Sequence, residues 1–397
     1  MYVRLMKLAF IHNEQKMGTG AHFINELISK HLKEVGVKVK NFFPKHALTE
    51  TPHHLKGLGN ILFFHSLLEH KDEILKYDLI QGTTYTPIAL LAFPIPVVCH
   101  FGSTSWGFLA AVPLSKNIEP ALRKIWLELK WGGAIKELNL RTRRPLKDIA
   151  EIEKYTAQRA DLVLATSEIV KQNLLDAGVC TEKIRVVPNA IEDYWFEKSI
   201  RHFLDVPRLV YLGRIGSDVF TLKLKGLDRL IDAYRSFPNA EKQTFGMTTN
   251  ESLVAWFSQH IKKHKFIANL VKTSIPGELS KVAGSILLVV SRYEGFSLSL
   301  IEGMSQGLIP VSYPVGIAPE IIVQGKNGYI VHSQQELKRV VQHIYSLSKT
   351  ERVSLAKAAI STAKKFRAQM VSEQLCDEYT ALVKRYAQQR PRKKRKG

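Results

Sequence analysis

Two carboxylates and two cations are the residues of this 397-residue chain best placed to do chemistry. Glu294 and Glu302 stand in SRYEGFSLSLIEGMSQG, residues 291–307. On one continuous helix, residues eight apart would lie about 12 Å from each other along the axis. Gly295 argues against that. It predicts that Glu294 sits in a loop after the strand-like run ILLVVS (286–291), with a helix beginning near Ser297. Ser297 is then a candidate N-cap. The N–H groups of Ser297, Leu298 and Ser299 would face outward, and a helix N-terminus at the end of a parallel strand attracts phosphate. The two acids could reach different parts of one elongated ligand, such as two polyols flanking a diphosphate. Taken singly, they read as a loop acid and a solvated helix acid.

The cations are Arg214, which ends RLVYLGR (208–214), and Lys225, which precedes Gly226 and a leucine-rich helix. Arg can grip phosphate bidentately and Lys acts as a point charge. Each alone reads as a surface cation; Lys223 stands two residues before Lys225. Gly18 and Gly20 follow the first strand-like run, and on their own they read as a simple turn. His100, in VVCHFGSTSW (97–106), reads on its own as a hydrogen-bonded structural residue after a strand.

EGFSLSLIEGMSQG, followed by Pro310, Glu320 and GKNGY (325–329), resembles the donor-binding signature of the retaining GT-B glycosyltransferases usually grouped as family four. YLGRIGSDVFTLKLKGLDRLIDAY (211–234) is similar to the family's Gly-Arg, Lys-Gly segment. ATSEIVKQNLLDAGVCTEKIRVVPNAIE (165–192) and MGTGAHFINELISKHL (17–32) extend the likeness over about residues 5–375. The spacing departs in places: ten residues separate Arg214 from Lys225, the Gly307–Pro310 turn is one residue longer than the commonest pattern, and residues 238–262 fit poorly.

The resemblance implies transfer of a sugar from a UDP- or GDP-sugar to an acceptor hydroxyl, with retention at the anomeric carbon and no metal or other cofactor. Arg214 and Lys225 would hold the diphosphate, Glu294 the donor sugar and Glu302 the ribose. Gly18, Gly20, Gly295, Phe296, Ser297 and Leu298 would complete the donor site, and His100 would lie near the transferred sugar. A glycan, cell-envelope or lipid-linked acceptor is expected with this likeness, while the few, scattered cysteines suit a cytoplasmic location and the basic segments a peripheral one at the membrane. A catalytically silent GT-B partner subunit is the alternative.

These residues need elements to position them. KLAFIH (7–12), VKVKNFF (37–43), DLIQGTT (78–84), PVVCHFG (96–102), DLVLATS (161–167) and IRVVPNA (184–190) form one series of short apolar runs separated by helical segments. RLVYLGR restarts the pattern, followed by KFIANL (265–270), ILLVVS, IPVSY (309–313) and GYIVH (328–332). Such runs indicate parallel sheets covered on both faces. The expectation is an α/β chain with two doubly wound, Rossmann-like domains: 1–195 for the acceptor and 205–370 for the donor. A C-terminal helix over 371–390 would return to the first domain, and a basic tail would occupy 391–397.

Composition narrows the remaining classes. Hydrophobic residues are 45% and charged residues 23%, which excludes disordered and collagen-like chains. The three cysteines, Cys99, Cys180 and Cys376, form no CxxC, so neither a disulfide framework nor a zinc site is expected. No Asp-x-Asp occurs, and no apolar run is long enough to cross a membrane. The N-terminus has no long apolar run or small-residue cleavage site, so no signal peptide is expected.

The net charge of +21 is unusual. Eight positive charges lie in residues 380–397, which hold no acid, so the rest of the chain still carries +13. Residues 116–147 hold nine Lys or Arg and three Glu. Within them Leu122, Ile125, Trp126 and Leu129 have helical spacing, describing a basic amphipathic helix with an interfacial Trp. That segment and residues 384–397 are candidates for an anionic membrane surface; a helix packed on the first domain is the competing reading. Nucleic acid is an unlikely partner, since no recognised nucleic-acid module accompanies the charge.

Overall fold

The computed structural model describes residues 6–12, 20–44, 61, 63–197, 200, 202–216 and 218–389. The chain divides into two compact units. One comprises Met1–Trp106, Arg144–Ala190 and Arg367–Gly397; the other comprises Gly107–Arg143 and Ile191–Phe366.

The first unit is built on six parallel strands: β1 (Lys7–Ile11), β2 (Lys38–Phe42), β3 (Leu79–Thr83), β4 (Val97–Phe101), β5 (Leu162–Ala165) and β6 (Ile184–Val186). Their order is β2-β1-β3-β4-β5-β6. Both faces are covered, so β4 (VVCHF) is buried along its whole length. Helix α1 (Gly20–Glu34) packs against α9 (Ala368–Gln389), the last helix among the described residues. Tyr379, fully buried on α9, donates its hydroxyl to Gln81 Oε1 on β3.

The second unit repeats the architecture with β7 (Leu209–Arg214), β8 (Lys242–Met247), β9 (His264–Ala268), β10 (Ile286–Val289), β11 (Ile309–Ser312) and β12 (Tyr329–Ile330). Their order, β12-β11-β10-β7-β8-β9, is the doubly wound dinucleotide-binding order, with its switch point between β7 and β10. All pairs are parallel. Strand β8 lies where the sequence fitted poorly. Its register with β7, Leu209↔Lys242 to Arg214↔Met247, is unbroken.

The segment Gly107–Arg143 corrects two expectations. It leaves the residue 1–195 domain and clusters with the second unit. Its helix α3 (Pro120–Trp131) lies on α6 (Leu227–Ser236), where Glu128 pairs with Arg235 Nη1 at 2.7 Å. The apolar stripe Leu122, Ile125, Trp126 and Leu129 belongs to the core of the second unit, and Trp126 is fully buried. The stripe is therefore neither a membrane-facing surface nor a contact with the first domain.

Candidate functional site

In open α/β sheets ligands bind beyond the carboxyl ends of the strands at the switch point. In the second unit that point lies between β7, which ends in Arg214, and β10, which runs into the loop carrying Glu294. Arg214 is exposed and makes no ion pair among the described residues. Helix α5 (Val219–Leu224) follows it, and Lys225 is the residue after that helix.

Lys225 Nζ lies 2.6 Å from Glu294 Oε1, and Ser291 Oγ donates to the same oxygen at 2.7 Å. One carboxylate oxygen is thus held by a cation and a hydroxyl. Their approach depends on Gly226, whose φ of +67° no β-substituted residue adopts easily. A Cβ there would stand 2.0 Å from the Val290 carbonyl oxygen.

Lys223 is not available to a ligand at this position. Its ammonium donates to Ser115 Oγ at 2.8 Å, Asn139 Oδ1 at 2.9 Å and the Pro113 carbonyl at 3.2 Å. Burial pushes its pKa down to about 8, with Arg143 and Arg292 adding to the fall. This lysine ties Gly107–Arg143 to α5.

Glu294 lies in the loop and Glu302 on helix α7 (Leu298–Ser305), as Gly295 required. Ser297 precedes α7 but does not cap it with its side chain. Its backbone is left-handed, at φ +78°, and its buried Oγ has no hydrogen-bond partner. The expectation of a serine cap is corrected: the backbone is not in the extended conformation of a capping residue, and the side chain makes no capping hydrogen bond. The first amides of α7 still precede any intrahelical bond. Gly316, at φ +54°, closes on the same turn: a Cβ there would meet the Phe296 carbonyl oxygen at 2.3 Å.

Around Glu302 the chain gathers residues that the sequence did not single out. Burial pushes the Glu302 carboxyl up to about 7, with Lys272 opposing the rise and Glu192 adding to it. Lys272 and Glu192 form an ion pair, and Trp195 Nε1 donates to Glu192 Oε2 at 3.1 Å. Gln306 Nε2 donates to the Trp195 carbonyl at 2.6 Å, anchoring residues 192–196 to the end of α7.

Of the other expected site residues, Gly18 lies outside the described residues and Gly20 opens α1 in the first unit. His100, also in the first unit, is buried on β4, and burial pushes its pKa down to about 4. It is therefore a neutral imidazole through the physiological range. Among the described residues no group of three or more His, Cys, Asp and Glu could hold a metal ion. No described helix is long and apolar enough to cross a membrane.

Residues 197–366 match the family described as Glycosyl transferases group 1, and residues 28–193 match Glycosyltransferase Family 4. With these matches and two parallel six-stranded sheets, the chain belongs to the group 1 glycosyltransferases of the GT-B fold. An uncharacterized glycosyltransferase of Methanocaldococcus jannaschii is 25% identical over 260 residues, covering 60% of this chain and 62% of that protein. The chain matches between 39% and 62% of the length of its curated relatives. Among solved structures, sucrose-phosphate synthase from Thermosynechococcus elongatus superposes with a TM-score of 0.73 at 15% identity, over 96% of this chain and 100% of that one. The Anabaena protein HepE in complex with UDP and glucose gives 0.64 at 17% identity, over 95% and 100%.

Proposed function

We propose that this glycosyltransferase moves a sugar from a UDP- or GDP-sugar to a hydroxyl of a cell-envelope, polysaccharide or lipid-linked acceptor, with retention and without a metal. The observation that carries the reading is the Lys225–Glu294 contact at the switch point, beside the start of α7 and the end of β7. A diphosphate there would meet Arg214, Lys225 and the first α7 amides, and these stabilise charge on a leaving nucleoside diphosphate. When Lys225 turns to the diphosphate, Glu294 becomes free to accept hydrogen bonds from donor-sugar hydroxyls. Glu302, beside Lys272 and Glu192, would take the ribose hydroxyls.

In the reaction the bond from the anomeric carbon to the phosphate oxygen breaks, and its electrons stay on that oxygen. The acceptor oxygen bonds to the anomeric carbon on the face of departure, and its proton passes to the leaving phosphate oxygen. An anionic membrane on the cytoplasmic side would present a lipid-linked acceptor.

The test is nucleotide release from a panel of UDP- and GDP-sugars in the presence of chelator, with wild type beside Glu294→Ala and Arg214→Ala. Release from one donor, lost in both variants, is expected; product stereochemistry then reports retention. No release from any donor, together with no thermal protection by UDP or GDP, would overturn the reading and favour a silent partner subunit.

A further inference from the structure

The carboxyl of Glu302 has a buried hydroxyl for a neighbour. Asp193–Phe196 form a short 3-10 turn packed against α7, and Gln306 anchors that turn through the Trp195 carbonyl. Tyr194, within the turn, is half-buried, and its ring stacks on Trp195 with centroids 5.9 Å apart. The Tyr194 hydroxyl oxygen is buried and has no hydrogen-bond partner among the described residues. Burial pushes the Tyr194 pKa well up, and the Glu192 and Glu302 carboxyls add to the rise, so both lie near that hydroxyl.

The neighbouring Glu192 is already occupied. Lys272, just beyond β9, pairs with one of its oxygens, and Trp195 Nε1 donates to the other at 3.1 Å. The Tyr194 hydroxyl is left over. A buried hydroxyl without a partner costs stability, and in a native protein such a group calls for whatever completes it.

The charge and position of the cluster say what that is. Glu192 and Glu302 against Lys272 sum to −1 when both acids are ionised, which repels a phosphate and suits a neutral polyol. Glu302 lies four residues past Leu298, about 6 Å along the axis from the amides at the start of α7. In a nucleoside diphosphate held by those amides, the group attached to the inner phosphate is a ribose. Each ribose hydroxyl both donates and accepts. An ionised carboxylate only accepts, whereas a phenol also donates. Glu302 and Tyr194 together match both halves of a hydroxyl.

We propose that Tyr194 is a specificity-determining residue of the donor site, its hydroxyl donating to a ribose hydroxyl whose own proton goes to Glu302 in a second hydrogen bond. This deepens the proposed function and rests on it for the placement of the nucleotide. A deoxyribonucleotide would leave the buried Tyr194 hydroxyl unpaired, and a site built to bond a hydroxyl rejects the analogue that lacks it.

The test reads affinity, not turnover. Full-length protein is titrated in a calorimeter with UDP and GDP, then with the 2′-deoxy and 3′-deoxy forms of the nucleotide that binds. Wild type is expected to bind the ribonucleotide at least tenfold more tightly than one of the two deoxy forms. Tyr194→Phe keeps the ring on Trp195 and removes only the hydroxyl. It should weaken the ribonucleotide about three- to tenfold, the reach of one hydrogen bond, and leave that deoxy form unchanged. The ratio of the two dissociation constants does not depend on how much of the variant is folded, so lost stability cannot imitate this result. Three results would overturn the inference alone: wild type binding ribo and deoxy forms equally, Tyr194→Phe binding the ribonucleotide as wild type does, or Tyr194→Phe weakening both forms by the same factor. Binding of neither UDP nor GDP by wild type would overturn the donor reading, and this inference with it.

Discussion

Arg292 grips Asp228 with both ends of its guanidinium, at 2.8 and 2.6 Å, and also donates to the Lys223 carbonyl at 2.7 Å. Both side chains are buried, Asp228 completely. The pair joins the start of α6 to the loop that carries Glu294, so it sets the height at which Lys225 and Glu294 meet. Removing one partner of a buried, bidentate pair leaves the other charge stranded. Arg292→Ala should therefore lower stability by about 3–5 kcal/mol in urea unfolding. Arg292→Lys keeps the charge but loses the fork, and should recover only part of that stability.

Lys223 and Lys225 lie two residues apart and do different work. Lys225→Met should remove most nucleotide release while shifting thermal stability little, because its ammonium stands at the rim of the site beside Glu294. Lys223→Met strands Ser115 and Asn139, so it should cost about 1–3 kcal/mol of stability. Its residual activity per folded molecule should stay well above that of Lys225→Met. Measuring release and melting temperature on the same two variants separates the roles. Equal activity losses at equal stability would show that both lysines serve the donor.

Most of the fold was legible because its signals are local. The apolar runs, their lengths and the restart after residue 208 each report a parallel strand between helices. The loop–helix break at Gly295 was legible for the same reason. What stayed hidden depends on partners distant in sequence. Periodicity showed that α3 has an apolar face but not which surface covers it, so a membrane surface and packing on the first domain both stayed open. The contacts of Arg292 with Asp228 and of Glu192 with Lys272 join residues 64 and 80 positions apart, with no spacing rule to announce them. Ser297 read as a cap from its type, yet its backbone is left-handed and its side chain makes no capping hydrogen bond.

Gly226 is required by geometry that a single methyl group tests. Its φ of +67° disfavours any Cβ, and the Val290 carbonyl blocks the space that Cβ would fill. Gly226→Ala must shift backbone at the end of β10, where the loop to Glu294 begins. It should cost at least about 2 kcal/mol from the left-handed conformation and the contact together. Donor turnover should fall with it, by tenfold or more, as Lys225 and Glu294 lose their register. A variant of full stability and activity would show that the α5–α6 turn relaxes freely.

Glu153 gives the first unit a pH signature of its own. It is 5% exposed and accepts the Ser105 backbone N–H at 2.8 Å, at the start of helix α2 (Ser105–Ala111). Burial pushes its carboxyl up to about 7, against the lowering effect of the Ser105 hydrogen bonds. A carboxyl raised on folding favours the protonated, folded state. Its contribution is complete below the unfolded value near 4.5 and is lost as pH rises through about 7. Above that pH the buried charge costs on the order of 3 kcal/mol relative to a neutral group. Glu153→Gln keeps an oxygen to accept the Ser105 N–H and cannot ionise. Melting curves from pH 4.5 to 8 should therefore fall more steeply for wild type than for the variant, and the variant should be the more stable at pH 8. Parallel curves across that range would show that Glu153 ionises on folding at its ordinary pKa.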